Sequence, residues 1–308
     1  MECIIKEKKK MGNDGESKIL NIELTQGKID FISNITYSQP INYFGKDIKL
    51  EMDILKPNKK GIYPAVLFVT GGSFAQSPKE RYLQQRMKIA ESGYVVASIQ
   101  YRTVPEGVFP QSLEDVKSAI RFLKANSERY SINKERIAIM GDSAGGYLVA
   151  MAGVTNGMKK FDKGENLSEN SDIKAVVDIY GVTDFEEIDT ELPENVTEEY
   201  RTLILTVKYW LSEAEKDIRS TNPISYISDK TPPFLLMHGD TDMLVPPIHT
   251  EKLHKALIEK GVESTRYLVT GAAHACEYWY QPEIIKIIIN FLNEKLRNKN
   301  FEEGDEIA

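Results

Sequence analysis

Six short segments after Pro64 are apolar almost without interruption: AVLFVT, YVVASIQY, RIAIMG, AVVDIYG, FLLMHG and STRYLVTG. A strand with one wet face alternates polar and apolar side chains, so runs that do not alternate belong to strands buried on both faces. Helical stripes separate them: Leu83, Met87 and Ala90; Leu113, Val116, Ile120 and Leu123; Leu253, Ala256 and Leu257, closed by Gly261. Pro282 opens a final apolar helix, where its missing N–H costs nothing. Upstream, Ile29, Phe31, Ile35 and Tyr37 share one face of a period-2 pattern, and Ile48, Leu50, Met52 and Ile54 repeat it. The expected fold is therefore α/β: a mostly parallel central sheet, antiparallel N-terminal edge strands, and helices on both faces. In such sheets ligands meet the carboxyl ends of the strands.

The chain has 308 residues, enough to bury a full core without staples. With 41% hydrophobic and 28% charged residues it reads as an ordinary globular protein. Lys and Arg total 39 against 46 Asp and Glu, a net charge of −7, which argues against nonspecific nucleic-acid binding. Two cysteines, Cys3 and Cys276, make no disulfide framework. The opening MECIIKEKKK is followed by MGNDGESK, not by an apolar stretch and cleavage site, so no signal peptide is expected. The strongest apolar run, IIKIIINFL, is short and carries Lys286; no membrane span is expected, and the sequence as given reads as cytoplasmic. Residues 1–20 and 299–308 are expected as mobile tails, the second acidic, around one domain at 21–298. Residues 182–226 exceed a simple crossover and carry a helical stripe, which fits either a partial cap over the strand ends or a plain packed helix.

Chemistry enters where RIAIM runs into GDSAGG at 141–146 and then into the apolar YLVAMAGV. Gly-x-Ser-x-Gly between a strand and a helix is a nucleophile elbow: Ser143 sits in a strained turn that presents its hydroxyl. That hydroxyl needs a base, and the base an orienting carboxylate. Of four histidines, His249 and His254 lie on a helical segment as surface residues, and His238 ends a strand, where loop backbone can satisfy it. His274, in a small-residue loop after the last strand, is the candidate base. HGDTDMLVP offers Asp240 and Asp242; Asp240, directly after Gly239, suits an Asx turn on its own backbone, which makes Asp242 the preferred acid of the two. The order Ser143, Asp242, His274 is the one this elbow motif takes. Candidate oxyanion donors are the N–H groups of Ala144, at the start of the next helix, and of Gly71 and Gly72 in VTGGSF.

Weaker features have plainer readings. Cys276 lacks an elbow and reads as a small buried residue. Arg102, Glu106 and Asp115 read as local ion pairs holding the loop before the second helix. Tyr278, Trp279 and Tyr280 fit core packing, or a ring at the pocket rim. There is no Cys/His ligand cluster and no phosphate-cradling Gly-Lys motif, so neither a metal nor a nucleotide is expected.

Over roughly residues 48–296 the chain resembles the bacterial acetyl esterase and feruloyl esterase (BD-FAE-like) branch of the α/β-hydrolases, related to the hormone-sensitive-lipase-like carboxylesterases. TGGSF, YRTVPEGVFPQSLEDV, GDSAGG, TPPFLLMHGDTDMLVP and GAAH, in that order, carry the likeness. It implies the α/β-hydrolase fold and cofactor-free hydrolysis of small-molecule or carbohydrate-linked carboxylic esters, leaving a homo-oligomer open. One departure stands out: the family's oxyanion loop usually reads His-Gly-Gly-Gly with an aromatic next, and here Thr70 and Ser73 replace the His and the third Gly. A serine peptidase or amidase on the same fold is the alternative enzyme. A ligand-binding relative of the plant gibberellin-receptor kind is the non-catalytic alternative, against which the presence of His274 argues.

Overall fold

The computed structural model describes residues 19–186, 197–214 and 217–297. The tails expected at 1–20 and 299–308 thus fall almost wholly outside the described residues, as does part of 182–226. Among the described residues the strands are β1 (Ile29–Ser38), β2 (Leu50–Pro57), β3 (Tyr63–Val69), β4 (Val95–Ile99), β5 (Ile132–Asp142), β6 (Ala175–Ile179), β7 (Phe234–Gly239) and β8 (Ser264–Val269). They form one sheet in the order β1-β2-β4-β3-β5-β6-β7-β8. β2 runs antiparallel to both β1 and β4, and every other pair is parallel. The helices are α1 (Leu83–Glu91), α2 (Gln111–Ala125), α3 (Ser127–Tyr130), α4 (Ala144–Val154), α5 (Glu198–Trp210), α6 (Ile248–Glu259) and α7 (Pro282–Leu296).

β3 shows why its run is continuous. Ala65, Leu67 and Val69 face one core with α2, α4 and α6, while Val66 and Phe68 face a second with α1 and α7. Each such side chain taken fully from water contributes about 1.5–3 kcal/mol, so a polar residue at any of them would be costly. On α2, Leu113, Val116, Ile120 and Leu123 are all fully buried, as their spacing predicts.

Three expectations fail locally. Phe31 is 58% exposed because the register breaks between Ile32 and Ile35, with Asn34 at φ 56° and its N–H donated to Asp53 Oδ1 at 2.8 Å. That extra residue reverses the parity, so Ile32, not Phe31, joins Ile35 against the core. On α1, Leu83 is exposed and the buried face is Gln85, Arg86, Ile89 and Ala90. Arg86 turns inward because its guanidinium donates to the carbonyls of Arg81 and Glu80. β8, read as a strand buried on both faces, is one of the two edge strands of the sheet and leaves Tyr267 and Leu268 exposed.

The loops after β3, β5, β7 and β8 share the carboxyl edge of the parallel strands. Behind them Arg102 holds Asp115 at 2.7 Å and Glu114 at 3.5 Å. Glu106, read as a member of that cluster, contributes only its carbonyl, which accepts from Tyr43 N–H. Among the described residues no helix is long and apolar enough to cross a membrane.

Candidate active site

β5 turns directly into α4 at Ser143, whose φ of 51° and ψ of −121° lie where a side chain is disfavoured by about 1–3 kcal/mol. Its neighbours over-determine that turn: Ser143 N–H donates to Ile179 O at 2.9 Å and Ser143 O accepts from Tyr147 N–H at 3.0 Å. Glycine is required at 145, where an added Cβ would stand 2.0 Å from Val69 O. α4 could not then pack against the end of β3.

Ser143 Oγ lies 2.9 Å from His274 Nε2, and His274 Nδ1 lies 2.7 Å from Asp242 Oδ2. Because a carboxylate only accepts, the imidazole proton sits on Nδ1, and Nε2 carries a lone pair toward the serine hydroxyl. The Asp242 side chain is wholly buried, whereas His274 keeps 14% of its side chain exposed and so stays in reach of a substrate. Burial pushes the Asp242 carboxyl toward its neutral form. The His238 ring beside it, the hydrogen bond from His274, the positive charge that His274 takes on when protonated, and Val245 N–H outweigh that and hold it well below the ordinary carboxylate range.

Asp242 holds His274 as expected but also takes the Asx-turn role expected of Asp240. Asp242 Oδ1 makes the Asx-type bonds to backbone two and three residues on, Leu244 N–H at 3.0 Å and Val245 N–H at 2.9 Å. Asp240 reaches across to the histidine loop and accepts Gly271 N–H at 2.7 Å. His238 does meet loop backbone, at Val245 O, 2.8 Å away. The histidine loop is braced by Trp279, fully buried, whose indole N–H donates to Ala273 O at 3.0 Å. His249 and His254 bond instead to Thr183 N–H and Ser264 Oγ.

Of the three oxyanion candidates, Gly71 needs correction. Its N–H donates to Asp142 Oδ1 at 2.8 Å and is therefore already engaged within the protein. Gly72 O accepts from both Ala75 N–H and Gln76 N–H, a tight turn in which the N–H groups of Gly72 and Ser73 meet no acceptor among the described residues. Ala144 N–H is an orphan of the first turn of α4. Ser73 N–H, with Ser73 at φ 55°, joins the candidates; its availability is a property of the turn, and no side-chain signal in the sequence marks it.

On the side of α5, Phe74, Tyr147, Phe185 and Trp210 all touch one another, with ring centroids between 3.8 and 6.2 Å. All four are buried, and Trp210 stacks on Phe74, the residue that follows the oxyanion loop.

The profile of one family, BD-FAE, matches residues 52–257, from β2 through most of α6. This chain belongs to the BD-FAE family. The BD-FAE chain is 31% identical over 215 residues to Esterase LipC of Mycobacterium tuberculosis, covering 68% of this chain and 52% of that protein. It thus spans about half the length of the curated relatives it matches. Among solved structures it resembles a truncated form of a carbohydrate esterase from gut microbiota at 26% identity and TM-score 0.76, over 90% of this chain and 99% of that one. An acetyl ester-xyloside bifunctional hydrolase from Caldicellulosiruptor lactoaceticus, 20% identical, shares the fold at TM-score 0.71, over 87% and 96%.

Proposed function

We propose that this chain is a serine carboxylesterase that hydrolyses short-chain or carbohydrate-linked carboxylic esters through an acyl-enzyme. The observation that carries the reading is the continuous hydrogen-bonded line Ser143 Oγ, His274 Nε2, His274 Nδ1, Asp242 Oδ2 at 2.9 and 2.7 Å, with backbone N–H groups at Gly72, Ser73 and Ala144 that meet no acceptor among the described residues.

Ser143 Oγ attacks the carbonyl carbon as His274 Nε2 takes its proton. The carbonyl oxygen becomes an anion facing the N–H groups of Gly72, Ser73 and Ala144, each of which contributes about 3 kcal/mol to such a state. Asp242 keeps the imidazole in the needed tautomer and stabilises its cationic form. His274 returns the proton to the leaving alkoxide, the alcohol departs, and water repeats the sequence on the acyl-enzyme to release the acid. The four packed aromatic rings, two of them on the residue after the oxyanion loop and on the helix that follows the elbow, border the reacting centre, and their packing is the feature on which a preference between acetyl and feruloyl esters would turn.

The test is turnover of p-nitrophenyl acetate, butyrate and octanoate, methyl ferulate and acetylated xylan, with Ser143→Ala alongside. Acetate esters turned over by the parent and not by the variant are expected. Absence of both turnover and an acyl adduct by mass spectrometry across the panel would overturn the reading.

A further inference from the structure

The oxyanion loop here lacks the histidine that heads it in similar chains. Thr70 stands there, and its hydroxyl is buried without a hydrogen-bond partner among the described residues. Thr70 O is held, accepting from Tyr101 O–H at 2.9 Å, but that bond lies upstream of the donors.

What reaches the donors is the side chain between Gly141 and Ser143. Asp142 is 3% exposed, and its two oxygens point to different elements. Oδ1 accepts Gly71 N–H at 2.8 Å, and Oδ2 accepts Tyr82 O–H at 3.0 Å. Tyr82 and Tyr180 hydroxyls are 2.7 Å apart. Since Tyr82 has one proton and gives it to Asp142, Tyr180 must donate to Tyr82. Every donor in the line points toward the one carboxyl. The line also ends beside the catalytic base, because the Tyr180 ring lies 4.7 Å from the His274 ring.

We propose that Asp142 is a positioning residue: it ties the oxyanion loop to the nucleophile elbow through Gly71 N–H and thereby aims the Gly72 and Ser73 N–H groups at the carbonyl that Ser143 attacks. The proposal rests on the ester-hydrolase reading. Proximity supports it as well as bonding. An added Cβ on Gly71 would fall 2.9 Å from Ser143 Cβ and 2.7 Å from the Asp142 carboxyl, so the loop is in contact with the elbow. Gly71 N–H to Asp142 is the hydrogen bond that joins the loop to the elbow there, while Gly71 O accepts from the Arg81 guanidinium at 3.4 Å on its other side. A misplacement of about 1 Å in such a constellation costs about 100-fold in rate.

The experiment compares the parent with Asp142→Ala, Asp142→Asn and Tyr82→Phe in kcat and KM on p-nitrophenyl acetate. It also measures affinity for an aryl trifluoromethyl ketone, whose carbonyl adds Ser143 Oγ and leaves a hemiketal oxyanion in the hole. Asparagine can still accept Gly71 N–H through its amide oxygen, and alanine cannot. Asp142→Ala is expected to lose about 100-fold in kcat and the same factor in ketone affinity, with KM within threefold; Asp142→Asn should recover to within tenfold of the parent. If Asp142→Ala does not fold by circular dichroism, Tyr82→Phe decides, with a matched loss of about fivefold in kcat and ketone affinity expected. The proposal is overturned if the folded Asp142→Ala keeps parental kcat and ketone affinity, if Asp142→Asn is no better than Asp142→Ala, or, in the fallback, if Tyr82→Phe changes neither quantity. A parent that neither turns over ester nor binds the ketone removes the hydrolase reading itself, a result distinct from an active parent with indifferent Asp142 variants.

Discussion

His238 Nε2 stands 3.5 Å from Asp242 Oδ2, the same oxygen that holds His274 Nδ1 at 2.7 Å. Two imidazoles, one ending β7 and one following β8, therefore face a single carboxylate. His238 gives its Nε2 proton to Val245 O at 2.8 Å, while Val245 N–H bonds Asp242 Oδ1 at 2.9 Å, which closes the acid loop on itself. His238→Leu should leave the Val245 carbonyl buried and unpaired. Stability should fall by about 1–3 kcal/mol in urea denaturation, with kcat down roughly tenfold as the acid loop loosens. Parental stability and kcat would show that the loop is held without His238.

Asp242→Asn replaces an oxygen that accepts His274 Nδ1–H with a group that can hold the opposite tautomer. kcat for acetate esters should fall by roughly 10⁴-fold. The carboxyl is held below its ordinary value in the folded protein, so its stabilising contribution is complete above the unfolded pKa and is lost as pH falls through the folded one. The stability gap between parent and Asp242→Asn should accordingly shrink as the pH is taken below about 4.

Trp210 contacts Phe74, Tyr147 and Phe185, and its indole N–H donates to Ser112 Oγ at 3.1 Å. Trp210→Ala removes the largest member of the packing that borders the oxyanion loop. The ratio of kcat/KM for octanoate over acetate should rise at least about tenfold, with a stability cost of about 3–5 kcal/mol. An unchanged ratio in a folded variant would place the acyl group elsewhere.

Asp178 lies under the elbow at the end of β6. Its Oδ1 accepts Gly181 N–H at 2.9 Å, its Oδ2 is buried without a partner among the described residues, and burial pushes the carboxyl up to about 7. Between the unfolded value near 4 and this raised one, the folded state holds a proton that the unfolded state has lost, so stability falls as pH rises through that window. Asp178→Asn is neutral throughout. Its urea midpoint should gain on the parent's from pH 4 to pH 8, by up to about 4 kcal/mol in free energy. Parallel pH profiles would show that Asp178 ionises freely in the fold.

Local features of the sequence were enough for the architecture and for the residues that meet at its edge. Unbroken apolar runs such as AVLFVT can satisfy a backbone and bury both faces only in a helix-covered parallel sheet. GDSAGG after one of them leaves the chain little choice but an elbow, and the small count of histidines narrowed the base to His274. What depended on approach between distant segments was not legible. Gly71 reads as a free donor until Asp142, 71 positions on, is folded beside it. Phe31 reads as buried until a bulge secured by Asp53 reverses the parity of β1. Asp240 reads as a turn former until the histidine loop arrives with Gly271 N–H. Periodicity and motif spacing report what neighbours along the chain require, whereas a buried N–H or carboxylate takes whichever partner the packed fold brings within 3 Å, and that choice is made only in three dimensions.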